Sequence, residues 1–238
     1  MSGAALLFLA TEDWFVRSHF LPLLKRAVAD GYRVTVAARD SGVLAGVAGV
    51  RVIDTPFARG SLKPWELSRQ VAHLRALLRQ ERPDIVHAIA LKPIGLLALS
   101  NHRDAGRVLA ITGRGFLGVG ASPLAAAANW QLRRSIRDAL DQERTVLMVE
   151  NEADRAWVEA ARPLPDARVA LMPGAGVDPD LLRPAPEPAA PIVVGVASRL
   201  VRSRGSISPL PRLKRCVRAS ADISLRIAEP STPTIPSM

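Results

Sequence analysis

Residues 4–38 read AALLFLATEDWFVRSHFLPLLKRAVADGYRVTVAA and contain a complete strand, helix and strand. The apolar run 4–10 predicts a buried strand, residues 17–30 predict a helix, and residues 33–38 predict a second strand. Gly31 stands where a left-handed helix C-cap belongs. This unit indicates a parallel sheet, because two parallel strands in sequence need a crossover connection between them.

The same alternation continues to residue 172. Further strands are predicted at 50–53, 84–87, 107–112, 145–149 and 168–172, and further helices at 63–80, 93–101, 123–140 and 152–161. We therefore predict an α/β domain over residues 1–172, a Rossmann-like parallel sheet with helices on both faces.

A change of composition after residue 172 indicates a second domain. Residues 173–191 hold six prolines, which predicts a semi-rigid linker. The apolar strand 192–197 then begins a short fragment of a second Rossmann-like domain, over residues 192–205. In residues 206–238, Pro209 and Pro211 stand where the crossover helix is due, so we expect a poorly ordered tail in which only 221–228 resembles a strand.

Composition narrows the classes of protein. The chain has 238 residues, a formal net charge of +10, and 28 arginines among its 32 basic residues. Cys216 is its single cysteine, which excludes a disulfide framework and a cysteine-based zinc site, and we expect no metal. No apolar run reaches the roughly 18 residues of a membrane span, and the start lacks the basic region of a signal peptide. We expect a cytoplasmic protein.

The charge points to anionic partners, because the guanidinium fork binds phosphate in a bidentate manner. Basic residues interleaved with aromatic ones are missing from the sequence, so a nucleic acid partner is not expected. Three arginines of the predicted helix 123–140, at positions 133, 134 and 137, could contact anionic lipid headgroups. A solvated helix face is the alternative.

Candidate ligand-binding residues follow the first strand. In an open parallel sheet the ligand crevice lies beyond the carboxyl ends of the strands, where Glu12, Asp13, Trp14 and His19 are expected. Carboxylates can orient sugar hydroxyls, tryptophan can pack on a sugar face, and histidine can hydrogen bond or act as a base. The alternative is a helix capped by Asp13 or Ser18 beside a packed aromatic pair.

Two other strand ends carry candidates. His87 ends a predicted strand, and Lys92 opens the next helix, where its charge opposes the helix dipole unless an anion binds. A solvated lysine is the alternative. Arg199 and Arg204 follow the strand 192–197, and two cations on one loop suit a diphosphate.

Residues 113–118 read GRGFLG and match the G-x-G-x-x-G fingerprint of dinucleotide sites. The motif follows an interior strand, however, and Asp138, twenty residues later, lies within a predicted helix instead of at a strand end. An NAD(P)-dependent oxidoreductase is thus a less favoured alternative. We interpret the segment as a ligand-facing loop.

Several short motifs, taken in order, carry a family resemblance. They are FLATEDWF at 8–15, SHFLPL at 18–23, RPDIVH at 82–87, KPIG at 92–95, ITG at 111–113, NEAD at 151–154, PGAGVD at 173–178 and SRLVRSRG at 198–205. In this arrangement the chain resembles the family 4 glycosyltransferases of the GT-B fold. It is most similar to the bacterial branch that adds sugars to polyprenyl-diphosphate-linked glycans for surface polysaccharide or glycoprotein biosynthesis.

The resemblance implies a retaining transfer from a nucleotide sugar, usually a UDP-sugar, as co-substrate and with no other cofactor. It implies that Arg199 and Arg204 bind the donor diphosphate, with arginine at 204 where the family has lysine. The acceptor side of the cleft is matched by Glu12, Asp13, Trp14, His19, His87, Lys92, Thr112, Gly113 and Gly115. The acceptor would be a polyprenyl-diphosphate-linked glycan, met at the inner face of the plasma membrane.

The sequence also departs from the family. Members carry a pair of glutamates, E-x7-E, in the donor domain, and no such pair follows Gly205. We therefore expect a chain truncated in the donor domain and inactive in transfer. The alternative function is a non-catalytic remnant that binds the acceptor or an anionic membrane.

Overall fold

A computed structural model gives the architecture. It describes residues 3–57, 63–113, 123–142, 144–160, 163–177, 179–180, 182–186, 192–197 and 223–228. The chain forms two compact units, residues 1–176 and 177–238.

The first unit alternates strands and helices. Its strands are β1 (Ala5–Glu12), β2 (Arg33–Arg39), β3 (Val50–Asp54), β4 (Ile85–Ile89), β5 (Gly106–Ile111), β6 (Thr145–Val149) and β7 (Val169–Leu171). Its helices are α1 (Asp13–Ala29), α2 (Pro64–Glu81), α3 (Leu91–Ser100), α4 (Pro123–Leu140) and α5 (Glu152–Glu159), and a 3-10 turn, Asp166–Arg168, precedes β7.

All seven strands are parallel and lie in the order β3-β2-β1-β4-β5-β6-β7. The chain proceeds from β1 to β2 and β3 on one side, and α2 then returns it to β4 on the other side of β1. The direction of winding therefore reverses between β1 and β4, where Phe8 pairs with His87. In such sheets ligands bind beside the carboxyl ends of the strands at this reversal.

The two faces of the sheet are covered unequally. Buried side chains of α2, α3, α4 and α5 form one core with Leu7, Leu9 and their neighbours on the strands. On the opposite face, α1 is the one described helix with buried side chains in the core, which also includes Phe8, Ile89 and Met148. Helices on both faces confirm the predicted Rossmann-like fold.

The helix α1 begins at Asp13, earlier than the predicted Arg17. The Asp13 carboxylate is buried and accepts hydrogen bonds from Ser41 N at 2.8 Å and Ser41 Oγ at 2.7 Å. A carboxylate in the first turn also complements the helix dipole. Thr11 and Glu12 are consequently the end of β1, and the predicted loop after this strand is the first turn of α1.

In the second unit, β8 (Ile192–Ala197) pairs in parallel with β9 (Ile223–Ala228), from Ile192 opposite Ile223 to Ala197 opposite Ala228. These strands agree with the apolar stretches identified in the sequence. The remaining residues from 198 to 238, including Arg199 and Arg204, lie outside the described ranges.

Candidate functional site

The candidate site is the carboxyl-end edge of the seven-stranded sheet. Thr11 and Glu12 end β1, Ala90 follows β4, Thr112 follows β5 and Glu150 follows β6. Because parallel strands end at the same edge, these positions form a row across the sheet. The first residues of α1, from Asp13, directly follow the β1 end of this row.

His19 is held by its own helix. Its Nδ1 lies 2.6 Å from Ser18 Oγ and 3.3 Å from the Phe15 carbonyl oxygen, and its ring stacks on Phe15 with centroids 4.3 Å apart. Ser18 Oγ donates to the same Phe15 carbonyl oxygen at 3.2 Å, so it is free to accept from Nδ1, and we assign the neutral imidazole the tautomer with hydrogen on Nδ1. Nε2 then carries the lone pair and can accept a hydrogen bond from a ligand.

Glu150, which we did not select from the sequence, lies close enough to His19 for their charges to interact. Burial raises the pKa of Glu150; a charged His19 lowers it, and Asp154 raises it. The next residue, Asn151, caps α5 by accepting from Asp154 N at 2.8 Å, which fixes the backbone after β6. The sequence signal for Glu150 was its position directly after a predicted strand.

The other candidates after β1 differ in their surroundings. Trp14 is 39% exposed and contacts Phe15 edge to face, with centroids 6.0 Å apart. Glu12 is half-buried, 3.8 Å from Arg39 Nη1. Both oxygens of Asp13 accept from Ser41 beneath the helix, so Asp13 stabilises the turn after β2 and does not face the crevice.

The turn between β4 and α3 is strained. Ala90 has φ 74° and ψ 163°, a backbone conformation that glycine adopts almost exclusively. Its N–H donates to the Ala110 carbonyl at 2.8 Å, which ties the turn to β5. Lys92 follows in the first turn of α3, where burial lowers its pKa and the nearby Glu66 raises it.

The loop after β5 is described as far as Gly113. Thr112 and Gly113 are half-buried, and Gly113 has φ +98°, which a side chain disfavours. Gly115 and the remainder of the G-x-G-x-x-G motif lie outside the described residues.

His87 does not reach this edge. The strand β4 continues for two residues beyond it, and the imidazole is buried under α1, with its ring centroid 5.1 Å from Phe8 and 5.8 Å from Phe20. Burial lowers the pKa of His87 to about 4. The expectation that His87 ends its strand was wrong because the apolar pattern continues through Ala88 and Ile89.

The arginines of α4 are engaged within the protein. Arg137 Nε donates to the Val158 carbonyl at 2.9 Å, and Arg134 Nε lies 3.8 Å from Asp138 Oδ2. Arg133 lies over the Trp157 ring at 5.7 Å. Arg134 is exposed, and Arg133 and Arg137 are half-buried.

Two other features bear on the class of site. Within the described ranges, no group of three or more histidine, cysteine, aspartate or glutamate side chains could hold a metal ion. None of the described helices is long and apolar enough to cross a membrane.

Comparisons with solved structures show a shared fold. Sucrose-phosphate synthase from Thermosynechococcus elongatus matches with a TM-score of 0.68 at 15% identity, over 98% of this chain and 64% of that one. A glycosyltransferase from Rickettsia africae matches with a TM-score of 0.62 at 10% identity, over 95% and 69%. Anabaena HepE in complex with UDP and glucose matches with a TM-score of 0.57 at 17% identity, over 93% and 60%.

The chain thus spans about two thirds of the length of these structures, and 64% of the first. No curated protein sequence matches it. The profile of Glycosyltransferase Family 4 matches residues 16–181, which include His19, Lys92 and Glu150. This match covers more than half of the sequence, and with the shared fold it shows that the chain belongs to glycosyltransferase family 4.

Proposed function

We propose that the protein takes part in sugar transfer from a nucleotide sugar, with UDP as the favoured nucleotide, to a polyprenyl-diphosphate-linked glycan. The observation that carries the proposal is that Trp14 and His19 follow β1, Lys92 follows β4 and Glu150 follows β6, all at the carboxyl-end edge of a family 4 domain. Such a crevice offers an aromatic face and hydrogen-bonding groups for a saccharide, and a cation for a phosphate.

The charges along this edge favour different positions for the saccharide and the diphosphate of the acceptor. Glu150 disfavours an anion near His19, whereas Lys92 lies at the start of α3, where the helix dipole adds positive potential. The strand order β4-β5-β6 separates the two positions by two strand spacings, roughly 10 Å. A saccharide near Glu150 and a diphosphate near Lys92 fit this division.

The donor side of the proposal depends on Arg199 and Arg204, which remain sequence predictions. Two guanidinium groups would stabilise the diphosphate as it leaves the sugar, and such electrostatic stabilisation is a large part of catalysis in many enzymes. We also propose that residues 1–238 alone bind the acceptor but transfer sugar poorly, since Glu229 is the single glutamate after Gly205.

The test is transfer of radiolabel from UDP-sugars to lipid-linked glycans extracted from bacterial membranes, with acceptor binding measured separately. We expect acceptor binding with little transfer. Lys92→Ala should bind the acceptor more weakly than the control Arg69→Ala, which removes an exposed cation of α2. Rapid transfer by the purified chain would overturn the proposed inactivity. The absence of both sugar transfer and acceptor binding would overturn the proposed function.

A lipid-linked acceptor requires approach to a bilayer, and we propose that the start of α2 makes this contact. Trp65 is 62% exposed, and Lys63 Nζ lies 5.6 Å from its ring. Lys63 also lies 3.6 Å from Glu66, whose charge acts on Lys92, which places the start of α2 near the start of α3. Tryptophan and lysine together suit the interface of an anionic membrane.

Vesicle co-sedimentation tests this contact with a matched control. Trp130 on α4 is similarly exposed, at 55%, and also lies beside a cation, Arg134. We expect binding to phosphatidylglycerol vesicles that weakens with salt, and a loss of about fivefold in Lys63→Ala, as one lysine contributes about 1 kcal/mol. Trp65→Ala should weaken it further and Trp130→Ala should not. Equal effects at both tryptophans would refute the assignment.

A further inference from the structure

Glu150 enters the proposed function only through its charge, and its hydrogen-bonding capacity is not yet assigned. It is half-buried and directly follows β6, and continuing the alternation of that strand by one residue puts it on the face of Met148, two residues earlier. Met148 belongs to the core formed with Val16 and Phe20 of α1. Glu150 therefore lies on the α1 side of the sheet, beyond that core and toward the start of the helix.

His19 lies on α1, on the side of the sheet to which Glu150 is assigned. It stands one residue before Phe20 on α1, and Phe15, on which its ring stacks, contacts Phe20 with centroids 6.2 Å apart. The aromatic cluster thus fixes the imidazole over the edge of the core. Both groups are held by rigid neighbours, His19 by Phe15 and Ser18, and Glu150 by the capped start of α5.

We propose that His19 and Glu150 form a saccharide-binding pair that recognises hydroxyl groups of the acceptor glycan. His19 Nε2 accepts from one hydroxyl, and the Glu150 carboxylate accepts from a second. Trp14 offers an exposed ring for the apolar face of the sugar. This inference rests on the proposed function and adds the residues that select the acceptor sugar.

Hydroxyl groups fit the pair better than the other parts of the acceptor. A carboxylate repels a phosphate, and the tautomer assigned to His19 presents a second acceptor instead of a donor. Two acceptors held together require a ligand that brings two donors, which neighbouring sugar hydroxyls supply. Removing one acceptor leaves a ligand hydroxyl unpaired, which makes such sites selective.

The first experiment tests the pairing without any ligand. The pKa of Glu150 is measured by ¹³C NMR of its side-chain carboxyl group in the full chain. Because a charged His19 lowers this pKa, His19→Gln should raise it, whereas Asp154→Asn should lower it. The control His73→Gln, at an exposed position of α2, should leave it unchanged. No response to His19→Gln would show that the side chains do not interact, and would overturn the pair.

The second experiment tests saccharide recognition. Saturation-transfer NMR uses the methyl glycosides of glucose, galactose, mannose, rhamnose and N-acetylglucosamine as probes at millimolar concentration. We expect at least one glycoside to bind, and to bind about tenfold more weakly to Glu150→Gln and to His19→Gln. The control Glu152→Gln, at an exposed position two residues from Glu150, should bind it as the parent does. Absence of binding by every probe, or equal binding by all variants, would overturn the inference.

The inference and the proposed function can fail separately. Glycoside binding that depends on Glu150, with neither sugar transfer nor binding of the lipid-linked glycan, would support the pair and refute the proposed function. Transfer or glycan binding that is unaffected by Glu150→Gln and His19→Gln would support the proposed function and refute the pair.

Discussion

The two ends of the seven-stranded sheet satisfy their backbone groups in different ways. At the amino-end edge, where the helices finish, arginine side chains donate to the terminal carbonyl groups. At the carboxyl-end edge, where the helices begin, α1, α2 and α3 have no side-chain hydrogen bond at their N-caps. Arginines thus close helix ends at the amino-end edge, whereas at the carboxyl-end edge Asn151 caps α5 and the starts of α1, α2 and α3 have no such cap.

The arginines of the amino-end edge serve helix ends. Arg75 donates to the Leu99 carbonyl at 2.9 Å where α3 finishes, and Arg168 donates to the Leu140 carbonyl at 2.7 Å where α4 finishes. The last carbonyl groups of a helix lack partners within it and carry negative potential, which a guanidinium group complements. This edge stabilises the fold.

Two features lower stability, one within β4 and one in the turn that follows it at the carboxyl-end edge. His87 is buried with no hydrogen-bond partner for Nε2, and Ala90 holds a strained backbone three residues later. Such features persist where the surrounding structure enforces them, and they cluster at functional sites. Three stability measurements test the contrast between the amino-end edge and β4 with the turn that follows it.

The largest expected effect is the loss of stability at low pH caused by His87. Its pKa falls from 6.5 in the unfolded chain to about 4 in the folded one, because burial disfavours the charged ring. The neutral ring contributes full stability above pH 6.5, and this is lost as pH falls through 4. The free energy of unfolding should fall by about 3 kcal/mol between pH 7 and pH 4 from this group.

Urea unfolding across this pH range checks the effect. His87→Leu should remove that part of the pH dependence, and His73→Gln, on the exposed side of α2, should retain it. A His87→Leu variant whose stability declines as steeply as that of the parent would contradict the assignment.

At the amino-end edge, Arg168→Ala should lower the free energy of unfolding by about 2 kcal/mol, because it removes hydrogen bonds from a charged donor to the carbonyl groups of Leu140 and Gln142. Arg69→Ala, at an exposed position of α2, should change it by less than about 0.5 kcal/mol. Urea midpoints measure both. Similar losses would mean that arginines at this edge are not specially stabilising.

At the carboxyl-end edge, Ala90→Gly should raise the free energy of unfolding by about 1 kcal/mol. Glycine relieves the strain at φ 74°, and this gain exceeds the conformational entropy that glycine loses on folding. Ala98→Gly, exposed in the same helix, should lower it by about 1 kcal/mol. Thermal unfolding of the two variants should therefore give shifts of opposite sign. A destabilised Ala90→Gly would remove the strain argument.

The fold could be predicted because its signals are local. The apolar runs that became β1 to β6 are short and separated by helices with a regular apolar face, such as Val71, Leu74 and Leu78 of α2. The start of α1 was misplaced because the partner of Asp13 is Ser41, 28 residues away. A pairing of that kind has no local sequence pattern.

The candidate site was only partly predictable. The carboxyl-end rule selects His19, Trp14 and Lys92, which stay predictions, but it does not say which side chains turn inward. His87 entered the core because β4 continues beyond it. Arginine counts likewise suggested anionic partners, whereas Arg75, Arg137 and Arg168 bind the protein's own carbonyl groups.

The uneven cover of the sheet has a consequence for motion. Among the described helices, α1 alone contributes buried side chains to its face, and the same helix carries His19. Local unfolding of α1 would therefore expose one core and dismantle the proposed saccharide site in a single event. A ligand that binds there stabilises the closed helix by mass action. Hydrogen exchange of α1 amides should slow when a saccharide is bound, more than that of the helices across the sheet.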